Sequence, residues 1–223
     1  MTADVLGTAG GVLFGLVLLT GLGLSAAVIV RAFLARAPSS VRFCGFLLVA
    51  AWLATAVFHL LAAVGLFRLW AALFLAAAGA AAAVRWIRAE PSRAEALRSE
   101  VRAFGAGFLS ASRSTPLLSG LAALLVLARL FRGLAAPPLA WDMLTYHLVK
   151  VARWVRTGGL APELAPDRWD GYEYFPYGGD TLWAWAMLPF HSDAPLAVAS
   201  VLVWLAALAA AWSLARELGA SVR

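Results

Sequence analysis

The chain has 223 residues, 63% of them hydrophobic and 13% charged, with a mean hydropathy of +0.83, a balance that excludes an ordinary soluble domain and points to lipid as the solvent. Eighteen Lys and Arg against 12 Asp and Glu leave a formal charge of +6, but the cations sit beside apolar runs rather than in one patch. They read as topology signals and headgroup partners, not as a nucleic-acid surface. The single cysteine, Cys44, lies inside an apolar run and offers neither an internal disulfide nor a cysteine metal cluster.

Crossing about 30 Å of hydrocarbon takes about 20 apolar residues, because lipid leaves unpaired backbone groups without partners. Segments 6–30, 43–66, 69–84, 116–136 and 194–215 meet that demand, which predicts an all-α multipass protein of about five spans. The first run has nothing basic before it and the length of a full span, so it reads as a span and not as a cleaved signal. The turn at Phe67 and Arg68 is tight, so the second and third spans form a helical hairpin. Three leading spans thus occupy 1–86, a cytoplasmic linker 87–115, and a further module 116–223. Gly21 and Gly23 lie within a span and read as helix-packing positions.

Arginine marks the cytoplasmic side. Arg31, Arg36 and Arg42 fill the first loop, Arg85, Arg88, Arg93, Arg98, Arg102 and Arg113 crowd the third, and Arg216 and Arg223 follow the last span. The expectation is a cytoplasmic (inner) membrane protein with its N-terminus outside and its C-terminus inside, and with an outer loop at 137–193. The Ala, Leu and Arg bias, with one Lys, suits a GC-rich bacterial genome. In the linker, Pro91 opens a helix whose Leu97, Val101, Phe104 and Phe108 form one stripe, the pattern of an interfacial amphipathic helix.

The outer loop carries the chemistry. After Pro137 and Pro138, a helical pattern runs from Trp141 to the Gly158-Gly159 stop. Leu144, Leu148, Val151 and Val155 share one face; Asp142, Tyr146 and Arg153 line the opposite one, with Lys150 beside them. Such a helix should lie flat on the membrane and turn a carboxylate, a phenol and two cations towards an outer cavity suited to a charged lipid headgroup. A turn segment holding Tyr172, Tyr174 and Tyr177 follows, and Asp180 is placed to cap a short helix bearing Trp183 and Trp185. Ser192 or Asp193 caps the last span, with Pro195 in its first turn. His59, inside the second span, is an intramembrane ionisable group, read first as a neutral, hydrogen-bonded helix contact. Plain readings stand beside the functional ones: Asp142 as an N-cap, His147 as a packed histidine, the cations as lipid-phosphate partners, the tyrosines as interfacial belt residues.

A span, then a Trp141-Asp142-x-Leu144-x-Tyr146-His147 helix, a Tyr174-Phe175-Pro176 turn, a short Trp-bearing helix and a span ending Leu214-Ala215-Arg216-Glu217-Leu218-Gly219 resembles the GT-C class of membrane glycosyltransferases, and most closely its family 39 and aminoarabinose-transferase-like branch. The resemblance covers 116–223, about half the chain. It implies transfer of a sugar from a polyprenyl-phosphate carrier to an acceptor, here unidentified, at the outer face of the membrane. By position it implies Asp142 as general base or acceptor-orienting acid, with Tyr146, His147, Lys150, Arg153 and Tyr174 around the substrates and membrane lipid as surroundings. Many members carry two adjacent acids at this place, sometimes with a divalent metal; Met143 follows Asp142 here, so no metal ligand is assigned and the cofactor is left unknown. Members also have roughly twice as many spans, so the expectation is an N-terminal portion of such an enzyme. The alternative is a non-catalytic membrane subunit that binds lipid or a partner protein; a transporter ranks third, lacking paired broken helices.

Overall fold

An apolar run in lipid can satisfy its own backbone groups as an α-helix, and eight helices make up the regular structure of the described residues. The computed structural model describes residues 2–136, 147–160 and 178–219, apart from the side chains of 2–7, Phe104, Phe108, Ala111 and Arg216. In chain order the helices are α1 (Thr2–Leu34), α2 (Ser39–Ala63), α3 (Leu69–Arg88), α4 (Pro91–Ser114), α5 (Pro116–Ala135), α6 (Leu148–Thr157), α7 (Gly178–Met187) and α8 (Leu196–Glu217). Of these, α1, α2, α3, α5 and α8 are long and apolar enough to cross a membrane, which is the expected all-α multipass fold. The third span outruns its expected end, since Arg85 and Arg88 continue α3 as its last turn, where cations suit the carbonyl end of a helix.

Small residues set the closest approach in the bundle. A Cβ on Gly21 of α1 would lie 2.5 Å from the Ala76 carbonyl oxygen of α3, so only glycine permits this crossing. One turn on, Ser25 faces Gly79 and donates its hydroxyl back to the Gly21 carbonyl at 2.8 Å, satisfying itself within its own helix. The expected packing role therefore belongs to Gly21; Gly23 meets nothing nearer than 4.0 Å. Helix α2 packs on α1, and α8 on α2 and α5. No residue of α5 is buried, and it meets α8 where Gly133 abuts Ala197.

The connections define two ends of the bundle. At one, Ser40 donates its hydroxyl to Glu217, and Glu100 of α4 accepts from Arg31 at 2.8 Å and pairs with Arg42 at 3.1 Å. The amphipathic α4 is thus tied to α1 and α2. Its expected stripe is split, with Leu97 turned partly inward and Val101 74% exposed; the side chains of Phe104 and Phe108 lie outside the description. The α3–α4 corner is held by Arg93, which stacks over the Trp86 ring at 4.2 Å and pairs with Glu90 at 3.1 Å. The Ser92 hydroxyl and the Arg93 guanidinium hold the exposed Glu90 carboxyl below the ordinary carboxylate range.

At the other end lie the α2–α3 turn, α6, α7 and the start of α8. The N-terminal part of α1 arrives here too, Gly11 seating the Phe190 ring. One apolar cluster joins these parts: Leu18 of α1, Phe58 and Leu61 of α2, Phe67 of the turn, Val151 and Trp154 of α6, Leu188 and Leu196. The Phe58 ring meets those of Phe67 and Trp154 at 4.8 and 5.1 Å, and Phe67 meets Trp185 edge-on at 5.4 Å, separations typical of favourable aromatic pairs.

Candidate functional site

The α2–α3 turn fixes α6 by its end. Gly158 closes α6 in the left-handed conformation, φ 78°, and its amide bonds the Trp154 carbonyl at 2.8 Å, as the Gly-Gly pair predicts. Arg68 then donates from both terminal nitrogens to the carbonyls of Arg156 and Thr157, each at 2.7 Å, supplying partners that the last turn of a helix lacks. The Phe67 amide adds a bond to the Gly158 carbonyl at 2.9 Å, and the Leu160 amide one to Ala62 at 3.2 Å. A side chain at 158 has no room, because its Cβ would come within 2.7 Å of Arg68 Nε and 2.9 Å of the Gly65 carbonyl oxygen.

With α6 so anchored, its faces differ from the expected division. Val149, Ala152, Arg156 and Thr157 are exposed, whereas Lys150, Val151, Arg153, Trp154 and Val155 are all buried. The cations of the expected cavity-facing side are therefore packed inside, with Lys150 at 2% and Arg153 at 6% exposure. The helix is wedged into the end of the bundle instead of floating on a lipid surface. Asp142 and Tyr146, expected on the same helix, lie outside the described residues, as does Tyr174.

What receives Lys150 is Asp180. Helix α7 begins at Gly178, so Asp180 falls within the first turn and not at the cap. Its carboxylate is 1% exposed and takes His147 Nδ1 on Oδ1 at 2.7 Å and Lys150 Nζ on Oδ2 at 3.3 Å. One acid thereby joins both described candidates on the start of α6 to a helix about thirty residues later in the chain. The His147 ring also sits edge-on to Trp183 at 5.8 Å. A carboxylate in the first turn also suits the N-terminal end of the helix dipole.

The polar contacts continue into the bundle. Thr181, fully buried, donates to the Gly178 carbonyl at 2.8 Å and meets the Thr55 hydroxyl of α2 at 3.4 Å. The Trp185 indole donates to the Ala54 carbonyl at 2.8 Å. Thr55 stands eight residues before the end of α2, about 12 Å along its axis, so α7 reaches well below the rim of the bundle. His59 Nδ1 bonds the Thr55 carbonyl at 2.7 Å, the helix contact expected of it.

Chemically, a histidine whose Nδ1–H is donated to a carboxylate presents Nε2 as the proton-accepting nitrogen, fixed in orientation. A buried lysine and arginine on the same helix supply positive field where the surroundings are poorly screened. Among the described residues, no three His, Cys, Asp or Glu side chains converge in the manner of a metal site. Sequence reasoning missed Asp180 as a site residue; the Gly178-Gly179-Asp180 pattern signals a helix start, and nothing in local spacing reveals a partner on another helix. Comparison of the chain with protein-family models, curated proteins and solved structures returns no match.

Proposed function

We propose that the chain is a membrane glycosyltransferase of the GT-C kind, or the N-terminal part of one, that moves a sugar from a polyprenyl phosphate to an acceptor hydroxyl, with the α6–α7 end facing outward from a cytoplasmic membrane. The observation that carries this reading is the Asp180 carboxylate gripped by His147 and Lys150 at one end of an apolar bundle. Ionisable groups at membrane depth are costly and mark functional sites by default. The arginine distribution of the loops supports an outward setting of that end, and the order of motifs through 116–223 adds the resemblance described above.

In the proposed reaction, the acceptor oxygen forms a bond to the sugar's anomeric carbon as the bond from that carbon to the carrier phosphate breaks. The acceptor proton passes to a base, and the polyprenyl phosphate leaves. Asp142 is the proposed base, since a carboxylate beside a hydroxyl turns a weak nucleophile into a competent one. Lys150 and Arg153 act through their field on the departing phosphate, and Tyr146 and Tyr174 border the sugar and headgroup. Asp180 is a positioning residue: it holds His147 and Lys150 in place.

The test uses the full chain reconstituted in lipid nanodiscs with labelled polyprenyl-phosphate sugars, following release of polyprenyl phosphate. Asp142→Asn and Arg153→Ala should each lower turnover by about 100-fold or more, the usual worth of an acid–base or electrostatic group. Turnover unchanged in both would overturn the proposal. A second reading, a lipid- or partner-binding subunit without catalysis, is favoured by one feature, the near-complete burial of Lys150 and Asp180, which also suits a purely structural staple between α6 and α7.

A further inference from the structure

Helix α5 is a span with no buried residue, and its last two turns carry two charges that neither the bundle nor the candidate site uses. Arg129 and Arg132 are both exposed, and neither forms a hydrogen bond or an ion pair among the described residues. Helical rise puts them about 9 and 4.5 Å from the helix end at Ala135. The helix itself holds no acid. That end lies beside α6 and α7, because Gly133 abuts Ala197 while the neighbouring Leu196 joins their apolar cluster. Of the acids there whose side chains are described, Asp180 is enclosed by His147 and Lys150, and Asp193 pairs with neither arginine.

We infer that Arg129 and Arg132 together hold the phosphate of a glycerophospholipid of net negative charge, in the leaflet at the α6–α7 end. A guanidinium at membrane depth is costly without a counter-charge, and near the end of a span the anion within reach of a long side chain is lipid phosphate. Guanidinium also matches phosphate oxygens in a two-pronged geometry that an ammonium lacks. Residues three apart on a helix are neighbours, so one phosphate can bridge the pair. Below it, Leu118, Ala122 and Leu125 continue the same face at spacings of four and three and are exposed, a track along which an acyl chain can lie. The charge balance selects the headgroup. A zwitterionic lipid would bring an ammonium for which this face has no acid, whereas a net anionic one leaves both arginines to its phosphate. The inference needs α5 to be a span and stands independently of the transferase reading.

In the full chain carrying Cys44→Ala, a bimane fluorophore is attached at Leu125→Cys, on this face, or at Leu127→Cys, on the opposite and equally exposed one. Each chain is reconstituted in bilayers of phosphatidylcholine and phosphatidylglycerol with one lipid brominated at a time, so that quenching reports which lipid touches the fluorophore. The expected result is a preference for phosphatidylglycerol at position 125 and none at position 127. Arg129→Gln and Arg132→Gln should each lower that preference about 5-fold, and the two together should abolish it. Both side chains are exposed, so the variants should keep a monodisperse, helical state, which is checked. Equal quenching by the two lipids at position 125, the outcome if a protein carboxylate covers the pair, would overturn the inference. So would an equal preference at position 127, or one that survives the double substitution.

Discussion

Asp180 is the residue on which the candidate site turns, because it alone among the described residues ties α6 to α7 through charge. Removing one member of a buried pair strands the other, at a cost of about 3–5 kcal/mol, whereas replacing both by apolar groups of similar size is close to neutral. Lys150→Met should therefore lower the thermal stability of the detergent-solubilised protein strongly, and Lys150→Met combined with Asp180→Leu should recover most of the loss. A double variant as unstable as the single one would show that Asp180 owes its placement to something other than Lys150. If the cluster serves catalysis, the recovered double variant stays inactive, which separates the site role from the staple role. Periodicity put Lys150 and Arg153 on a helix and singled out His147, but it assigned both cations to an open polar flank that the structure does not have. It could not show that the flank is buried, since burial depends on Asp180, whose signal in the sequence is that of a helix start.

Helices α4 and α6 are each held by arginine, α4 near its middle and α6 at its last turn. For α6 the grip is the Arg68 guanidinium on the last two carbonyls, with Gly158 leaving room for it. Gly158→Ala forces an alanine into the left-handed region and against Arg68, costing about 1–3 kcal/mol; amide hydrogen exchange in α6 should accelerate while that of α1 and α3 is unchanged. For α4 the grip is Glu100 between Arg31 and Arg42, half-shielded from water. Glu100→Gln should release α4 by about 1–2 kcal/mol, between the values for exposed and buried pairs, read as faster tryptic cleavage at Arg98 and Arg102; an unchanged rate would mean that apolar contacts alone seat the helix. The α3–α4 corner has a pH dependence of definite sign. Because Glu90 is held below the usual carboxylate range, its contribution is present above that range and is lost as the pH falls through the lowered pKa. The Arg93 contact should thus persist at neutral pH and loosen only in acid, visible in Trp86 fluorescence. Helix limits were largely legible, as Pro91, Gly158 and Pro195 punctuate the chain. The expected membrane-surface setting of α6 was not, because amphipathicity cannot distinguish a lipid surface from a protein socket lined by Phe58, Phe67 and Trp185.

The whole molecule is an apolar bundle with chemically different ends. One end carries α4, the α1–α2 loop and the closing turn of α8, crowded with arginine; the other carries the hairpin turn, α6 and α7 around the Asp180 cluster. Span number and this alternation were readable from hydropathy and arginine placement, since lipid imposes both length and backbone satisfaction. The close α1–α3 crossing was readable in part: Gly21 announces a packing position, while its partner Ala76 does not stand out in an alanine-rich helix. Gly21→Leu should cost about 1–3 kcal/mol through overpacking, lowering the melting temperature; a stability equal to the parent's would deny the tight crossing. The proposed transferase reading demands that the Asp180 end face outward. In a chain carrying Cys44→Ala, Thr157→Cys at the end of α6 and Ser99→Cys on α4 are each treated in intact cells with a membrane-impermeant thiol reagent. The account predicts labelling of Thr157→Cys in intact cells and of Ser99→Cys only after permeabilisation; the reverse pattern would put the site on the cytoplasmic side and contradict it.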